Sequence, residues 1–251
     1  MLVVDDGSTD KTKSKIKEQI SKIPRKNIKL YEQDHLGPAA ARNLGASRAK
    51  GEILVFVDAD MEFEPDFISK LIAPISTSRT IGTFSKEEYL LNKDNVWARC
   101  WNLNLGRKTD RMHSENYPDT QAVFRAILRS KFQETGGFDS KLGYTDDWSL
   151  ARKLGTLATV APGARYYHRN PDTLSEVWTQ ARWFGKNEFL TGDLVRKIYN
   201  IFRYDPLLSL LKGIVGAFLW RVPQYLIFKP VYDTAVFTSV VLSFLGEQKN
   251  K

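Results

Sequence analysis

The chain has 251 residues, of which 42% are hydrophobic, which excludes a disordered or low-complexity protein and leaves room for one large domain with a tail. Its formal net charge of +8 favours anionic partners, but the Lys and Arg residues are scattered and no nucleic-acid motif accompanies them, so no nucleic-acid partner is expected. The single cysteine, Cys100, excludes an internal disulfide and reads as a small buried hydrophobe in a reducing compartment.

Residues 1–4 read as a short buried strand, with no signal peptide visible ahead of the acidic turn Asp5-Asp6-Gly7-Ser8-Thr9-Asp10. Residues 11–22 are polar with sparse isoleucines, the pattern of a surface helix stopped before Pro24. A strand over 28–31 and an alanine-rich helix over 37–50, closed by Gly51, follow. Ile53-Leu54-Val55-Phe56-Val57 is an unbroken apolar run, expected as a strand buried on both faces. Next come a helix to about residue 75, a strand over 80–84, a polar helix over 87–107 and a charged loop over 107–118 that includes His113. A strand over 122–128, a short helix over 146–154, a strand-turn-strand around Pro162-Gly163 and an aromatic helix over 173–190 complete the domain. Strands alternating with helices at this spacing predict an α/β fold with a doubly wound, mostly parallel sheet.

Four places carry chemistry. Asp58-Ala59-Asp60 ends the apolar run, where open α/β sheets bind ligands, and alternation points both carboxylates the same way. Such a pair repels unless a cation or hydrogen bonds satisfy it, and a hard divalent ion with diphosphate oxygens would do so. The Asp5–Asp10 turn lies at another strand's carboxyl end, where Ser8, Thr9 or Asp10 can also cap the next helix. Asp146 and Asp147 open a helix and read either as caps or as a general base. His168 with Arg169, then Arg182 and Trp183, are candidates for phosphate neutralisation and sugar stacking, set against a core-facing aromatic helix with exposed cations.

Taken in order, Val3 to Asp10, Gly37-Pro38-Ala39-Ala40-Ala41-Arg42-Asn43, Gly51 to Asp60, Gly136-Gly137-Phe138-Asp139 and Thr145-Asp146-Asp147-Trp148 resemble the family 2 glycosyltransferases, which have the GT-A nucleotide-sugar fold. The resemblance spans about residues 2–190. It implies a nucleobase contact for Asp6, a place beside the nucleotide for Arg42 and Asn43, and ribose and metal contacts for Asp58 and Asp60, with Asp60 the direct ligand of Mn²⁺ or Mg²⁺. It adds His168 to the metal site, and Gly137, Arg182 and Trp183 to the acceptor or phosphate side. Asp147 becomes the base of an inverting transfer from a UDP- or GDP-sugar, with Asp146 standing where the family more often has Glu. Two departures from the family stand out: no strand and helix precede Val3, and Gln180 lies one position late for the Gln-x-x-Arg-Trp motif of processive members. The first motivates a second reading, a nucleotide-sugar-binding remnant without activity.

From about residue 204 the composition turns apolar, interrupted by Lys212, Arg221, Lys229 and Asp233. The expected division is a catalytic domain over 1–203 and a helical tail over 204–251 that associates with a membrane, either in the interface or as a tight hairpin, with a soluble helical cap as the rival. A membrane-bound tail implies a polyprenyl-lipid or glycan acceptor at the cytoplasmic face of the cell membrane.

Overall fold

The computed structural model describes residues 1–23, 27–108, 110–114, 116–141, 143–191 and 194–244. Pro24, expected to stop the first helix, lies outside them, as do Thr109 and Glu115 of the charged loop and the side chain of Thr145. In chain order the strands are β1 (Leu2–Asp6), β2 (Lys29–Gln33), β3 (Ile53–Val55), β4 (Met61–Phe63), β5 (Gly82–Phe84), β6 (Glu88–Leu90), β7 (Thr120–Gln121), β8 (Ala126–Leu128), β9 (Ala158–Val160) and β10 (Tyr166–His168). The helices are α1 (Thr12–Lys22), α2 (Pro38–Arg48), α3 (Phe67–Ser76), α4 (Val96–Asn104), α5 (Arg129–Glu134), α6 (Ser149–Leu154), α7 (Leu174–Thr191), α8 (Leu194–Arg203), α9 (Pro206–Trp220) and α10 (Tyr225–Phe244), with a 3-10 helix at Gly143–Trp148.

The α/β class is as expected, but the sheet is not one mostly parallel layer. Three sheets form: β1 beside β2 in parallel, β4-β10-β6, and the main sheet β3-β8-β5-β9-β7. In the main sheet only β5 and β9 run parallel, because β8 inserts antiparallel between β3 and β5 and β7 runs antiparallel to β9. The expected strand-turn-strand around Pro162-Gly163 exists, yet its arms separate: β9 joins the main sheet and β10 becomes the centre of the three-stranded one. Residues 87–95 were expected within a helix; Glu88–Leu90 is instead a strand, parallel to β10, and the helix begins only at Val96, capped by the Asn95 side chain on the Trp97 and Ala98 amides.

Helix α2 places much of the site. Gly37 enters it at φ +92 and Pro38 starts its first turn. Ala39 and Ala46 are buried among Leu54, Ile127 and Phe138 of the main core, while Gly45 brings the helix onto Val4 of β1. The helix therefore rests on both the β1–β2 pair and the main sheet, with Arg42 between them. The run 53–57 is a shorter strand than expected. Leu54 is buried and Ile53 and Val55 half-buried, but Val57 is exposed, so the chain has already left the sheet when it reaches Asp58.

A second core joins α4, α7 and α10 through Cys100, Trp101, Val177, Ala181, Phe228 and Tyr232. Cys100 is buried there, as its sequence context suggested, and burial pushes its thiol up to about 12. The apolar segment after residue 203 thus packs against α7 instead of hanging free of the preceding helices.

Candidate active site

Three other segments reach the Arg42 guanidinium, those of Asp58, of Phe138 and of Asp146-Asp147. Arg42 Nη2 donates to Asp58 Oδ1 at 3.0 Å, while Nη1 donates to Asp147 Oδ1 at 2.5 Å and reaches Asp146 Oδ1 at 3.5 Å. Arg125, immediately before β8, donates to the other oxygen of Asp58 at 2.8 Å. Arg42 also lies over the Phe138 ring, 5.6 Å from its centroid, which ties in the Gly136-Gly137-Phe138 turn. Asp58 is thus held by two arginines. Burial raises its pKa, but Arg125 and Arg42 outweigh that and hold it at about 2.

The acid pair is split by environment. The Asp146 carboxylate is only 5% exposed, and its Oδ2 has no hydrogen-bond partner among the described residues. Burial first, and then the neighbouring Asp147, push it up to about 6. Asp147 is 31% exposed, so it is the acid a substrate can reach; burial raises it too, against the pull of Arg42 and Arg125.

Asp60 points elsewhere. His168 Nε2 lies 3.0 Å from Asp60 Oδ2, and His168 Nδ1 lies 2.8 Å from Glu88 Oε1. The other Glu88 oxygen is 2.9 Å from His113 Nε2, and the His113 ring stacks on Tyr117. Burial works against a charged His168, but the hydrogen bonds to Asp60 and Glu88 hold it up at about 9. Glu88 is held well below the usual carboxylate range by its two histidines, against its burial. His113, placed in the charged loop 107–118, thus docks on a buried acid.

No group of three His, Cys, Asp or Glu side chains among the described residues is already arranged as a metal cage. The donor pair Asp60 and His168 could hold a divalent ion by letting it replace the proton that His168 Nε2 shares with Asp60, since a charged imidazolium does not ligate a metal. A carboxylate and an imidazole suit Mn²⁺, and the remaining positions suit diphosphate oxygens and water. Asp58, expected in the same set, has both oxygens on arginines instead.

Other candidates are committed locally. Asp6 accepts from Gln33 Nε2 at 2.7 Å and from the Leu36 and Gly37 amides at 2.9 Å each, so its carboxylate anchors the loop leading into α2. Asp10 accepts from the Thr12 amide at 2.9 Å, one residue ahead of the N-cap Lys11, which has no side-chain cap, so the capping expected of Ser8, Thr9 or Asp10 is not made at the cap position itself. Asn43 donates to the Phe138 carbonyl and accepts from the Phe138 amide, both at 2.9 Å, like a backbone pair. Gly137 sits at φ +87, where an added Cβ would come 2.5 Å from Asn43 Oδ1, and its carbonyl accepts from Lys153 at 2.6 Å. Arg182 Nε donates to Ser239 of α10 at 3.4 Å, and Trp183 is half exposed beside Phe184. Replacing Asn43 by Ala is expected to cost about 2 kcal/mol, since both polar ends of the Phe138 peptide lose their partner; urea unfolding measures it, and a change below about 0.5 kcal/mol would contradict the geometry.

Arg125, Glu88 and His113 were not singled out in the sequence. Arg125 carried a signal, a lone charge inside the apolar stretch 122–128, which demands a partner when buried. Glu88 carried none, since in Lys86-Glu87-Glu88 it looks like the polar start of a helix.

A half-buried acid pair, a second acid motif and an arginine shared between them thus meet at the carboxyl end of a mixed α/β sheet. Solved structures share the fold. The mannosyltransferase PcManGT from Pyrobaculum calidifontis, in complex with GDP-Man and Mn²⁺, is 19% identical with a TM-score of 0.58, covering 98% of this chain and 78% of that one. TarS 1–349 of S. aureus in complex with UDP is 14% identical with a TM-score of 0.50, covering 100% and 83%. The profile of glycosyl transferase family 2 matches residues 1–136, and the chain belongs to that family. Among curated relatives, a dolichol-phosphate mannosyltransferase of Pyrococcus furiosus is 37% identical over 34% of this chain and 24% of its own length. A polypeptide N-acetylgalactosaminyltransferase 15 of Mus musculus is 27% identical over 67% of this chain and 30% of its own. The chain thus spans less than a third of the length of either relative.

Proposed function

We propose that the chain transfers a sugar from a UDP- or GDP-sugar to an acceptor with inversion at the anomeric carbon. The observation that carries this reading is Arg42, which ties the Asp58-Ala59-Asp60 segment to Asp147 through one guanidinium. Asp147 takes the proton of an acceptor hydroxyl as its oxygen bonds to the anomeric carbon, and the bond from that carbon to the diphosphate oxygen breaks with its electron pair. Arg42 is placed to follow the leaving charge, releasing Asp147 for the proton as the diphosphate arrives. Asp60 and His168 would hold a divalent cation, which when bound supplies compensation for charge on the departing diphosphate. Asp58, Asp6 and the backbone around Gly37 lie on the nucleotide side, while Trp183 lies on a helix that packs against the 3-10 helix carrying Asp147 and suits an acceptor.

The relatives support the chemical classes. PcManGT is bound to GDP-Man and Mn²⁺, and TarS to UDP. The dolichol-phosphate mannosyltransferase supports a lipid phosphate as the alternative acceptor, whose oxygen is already ionised and would attack without giving a proton to Asp147; such an acceptor suits a position at the cytoplasmic face of a membrane. Turnover of UDP- and GDP-sugars with Mn²⁺ tests the reading. In Asp60→Ala, Mn²⁺ is expected to lose its effect on nucleotide affinity, measured by calorimetry, with the fold unchanged because Asp60 is about half exposed. An unaltered Mn²⁺ effect would remove Asp60 from the metal site.

One observation favours a second reading, a binding remnant without activity. The carboxylate of Asp6 is already engaged by three donors of its own chain, and β1 with β2 stands apart from the main sheet. Tight nucleotide-sugar binding with no turnover on any donor would establish it.

A further inference from the structure

Helix α9 has its amphipathicity reversed. The stripe it turns to the protein is Ser209, Gly213 and Gly216, all buried. They are small because α10 comes close: a Cβ on Gly213 would lie 3.2 Å from the Leu226 carbonyl oxygen, and one on Gly216 would lie 2.5 Å from the Tyr225 ring. The opposite stripe holds Leu207, Leu211, Ile214 and Phe218, and Phe218 is 84% exposed. Helix α8 repeats the arrangement, with Asn200 buried and Val195, Tyr199 and Phe202 exposed. A helix facing water places its large apolar side chains inward, and patches of this extent mark a surface that something apolar covers.

We infer that the α8–α9 face inserts, parallel to the membrane plane, into one leaflet of a bilayer carrying anionic lipids. This deepens the membrane reading given above and rests on it, but it does not depend on the transfer chemistry. Charge selects the partner. Residues 194–221 carry Arg196, Lys197, Arg203, Lys212 and Arg221 against the single acid Asp205, which caps the Leu207 and Leu208 amides at 2.9 Å each, although Lys212 also lies 3.9 Å from Asp233 of α10. Arg196, Arg203 and Arg221 are exposed along the same segment, which suits headgroup phosphates above buried apolar side chains. A second copy seated on this face would instead bring two like-charged sets together.

Length excludes a span by α9: 15 residues rise about 22 Å, short of the roughly 30 Å hydrocarbon core. The window 225–242 of α10 is long and apolar enough. However, Phe228, Ala235, Val236 and Val240 of α10 are buried in the core shared with α4 and α7. Asp233 is fully buried and ion-paired to Lys229 at 2.8 Å, so α10 is the inner helix on which α9 rests.

The test uses the intact chain with vesicles of phosphatidylcholine alone or mixed with phosphatidylglycerol, read by co-sedimentation and by the change in tryptophan emission on adding vesicles, with Trp220→Phe as the control for the one tryptophan of residues 194–251. Leu211→Asp with Phe218→Asp changes exposed side chains only, so circular dichroism should be unaltered. The mixed vesicles should bind, with affinity falling as salt rises, and the double variant should weaken binding by about tenfold or more. Binding that the double variant leaves intact would keep the membrane reading and sink this face; equal binding to neutral vesicles would sink the anionic preference. Absence of binding to either vesicle would overturn both readings, and so would a dimer dispersed by the double variant without vesicle binding, which would assign the face to a second copy.

Discussion

Asp147→Asn is expected to lower kcat by about a thousandfold while leaving donor affinity within about twofold. Asn retains an oxygen for Arg42 Nη1, so the guanidinium stays in place and only the proton acceptor is lost. Asp146→Asn should cost far less, because that carboxylate is nearly sealed from solvent and cannot meet an acceptor hydroxyl. Burial and the neighbouring Asp147 hold Asp146 up at about 6, so the first proton to enter the pair as pH falls goes to Asp146, not to the base. The rate should fall only where Asp147 itself, raised by burial, takes up a proton, since the base must be ionised. Asp146→Asn should leave this acid limb nearly in place, because Asp146 is already neutral at the lower pH where Asp147 takes up its proton. Pre-steady-state rates across pH 5 to 8 measure both effects. If Asp147→Asn keeps its rate within threefold at neutral pH, the base lies elsewhere.

Arg42→Ala should give the largest loss of stability. It leaves Asp146 and Asp147 without their cation, and Asp58 with Arg125 alone. Breaking a buried ion network by removing one partner costs about 3–5 kcal/mol. The pH dependence identifies the cause. Without Arg42 the folded-state pKa values of these acids rise above their unfolded values, so the penalty is full at pH 7.5 and relieved as pH falls through the raised values. The variant should gain stability between pH 7.5 and 5 relative to the parent, followed by urea unfolding. Arg42→Lys should not rescue it, because one ammonium cannot reach Asp58 and Asp147 with two separate donors at 3.0 and 2.5 Å. A loss under about 1 kcal/mol, or one independent of pH, would show that Arg125 alone satisfies the cluster.

Much of the site was legible because each motif is local. An apolar run ending in Asp58-Ala59-Asp60 has to place acids at the edge of a sheet, whatever the rest of the chain does. Gly136-Gly137 also announced a turn, and both residues have positive φ. What sequence reading assigned to ligands, the structure often spends internally. Asn43 holds the Phe138 peptide and Asp6 holds the entry to α2, because a buried or half-buried polar group takes the nearest partner. The strand directions were not legible: alternation of strand and helix suggested parallel pairing, but β8 follows no crossover helix of the expected kind and enters between β3 and β5 in the opposite sense.

By itself the sequence determined the α/β class, the acid motifs and the membership they imply, since these depend on residue type and spacing over a few positions. Only the tertiary structure decided that Arg42 bridges Asp58 and Asp147, 16 and 105 residues away, and that Glu88 joins His113 to His168. Likewise, periodicity shows that α9 has two unlike stripes, but it cannot say which one faces the protein. That choice fell to α10, whose close approach admits only Ser209, Gly213 and Gly216 and leaves the leucines outside.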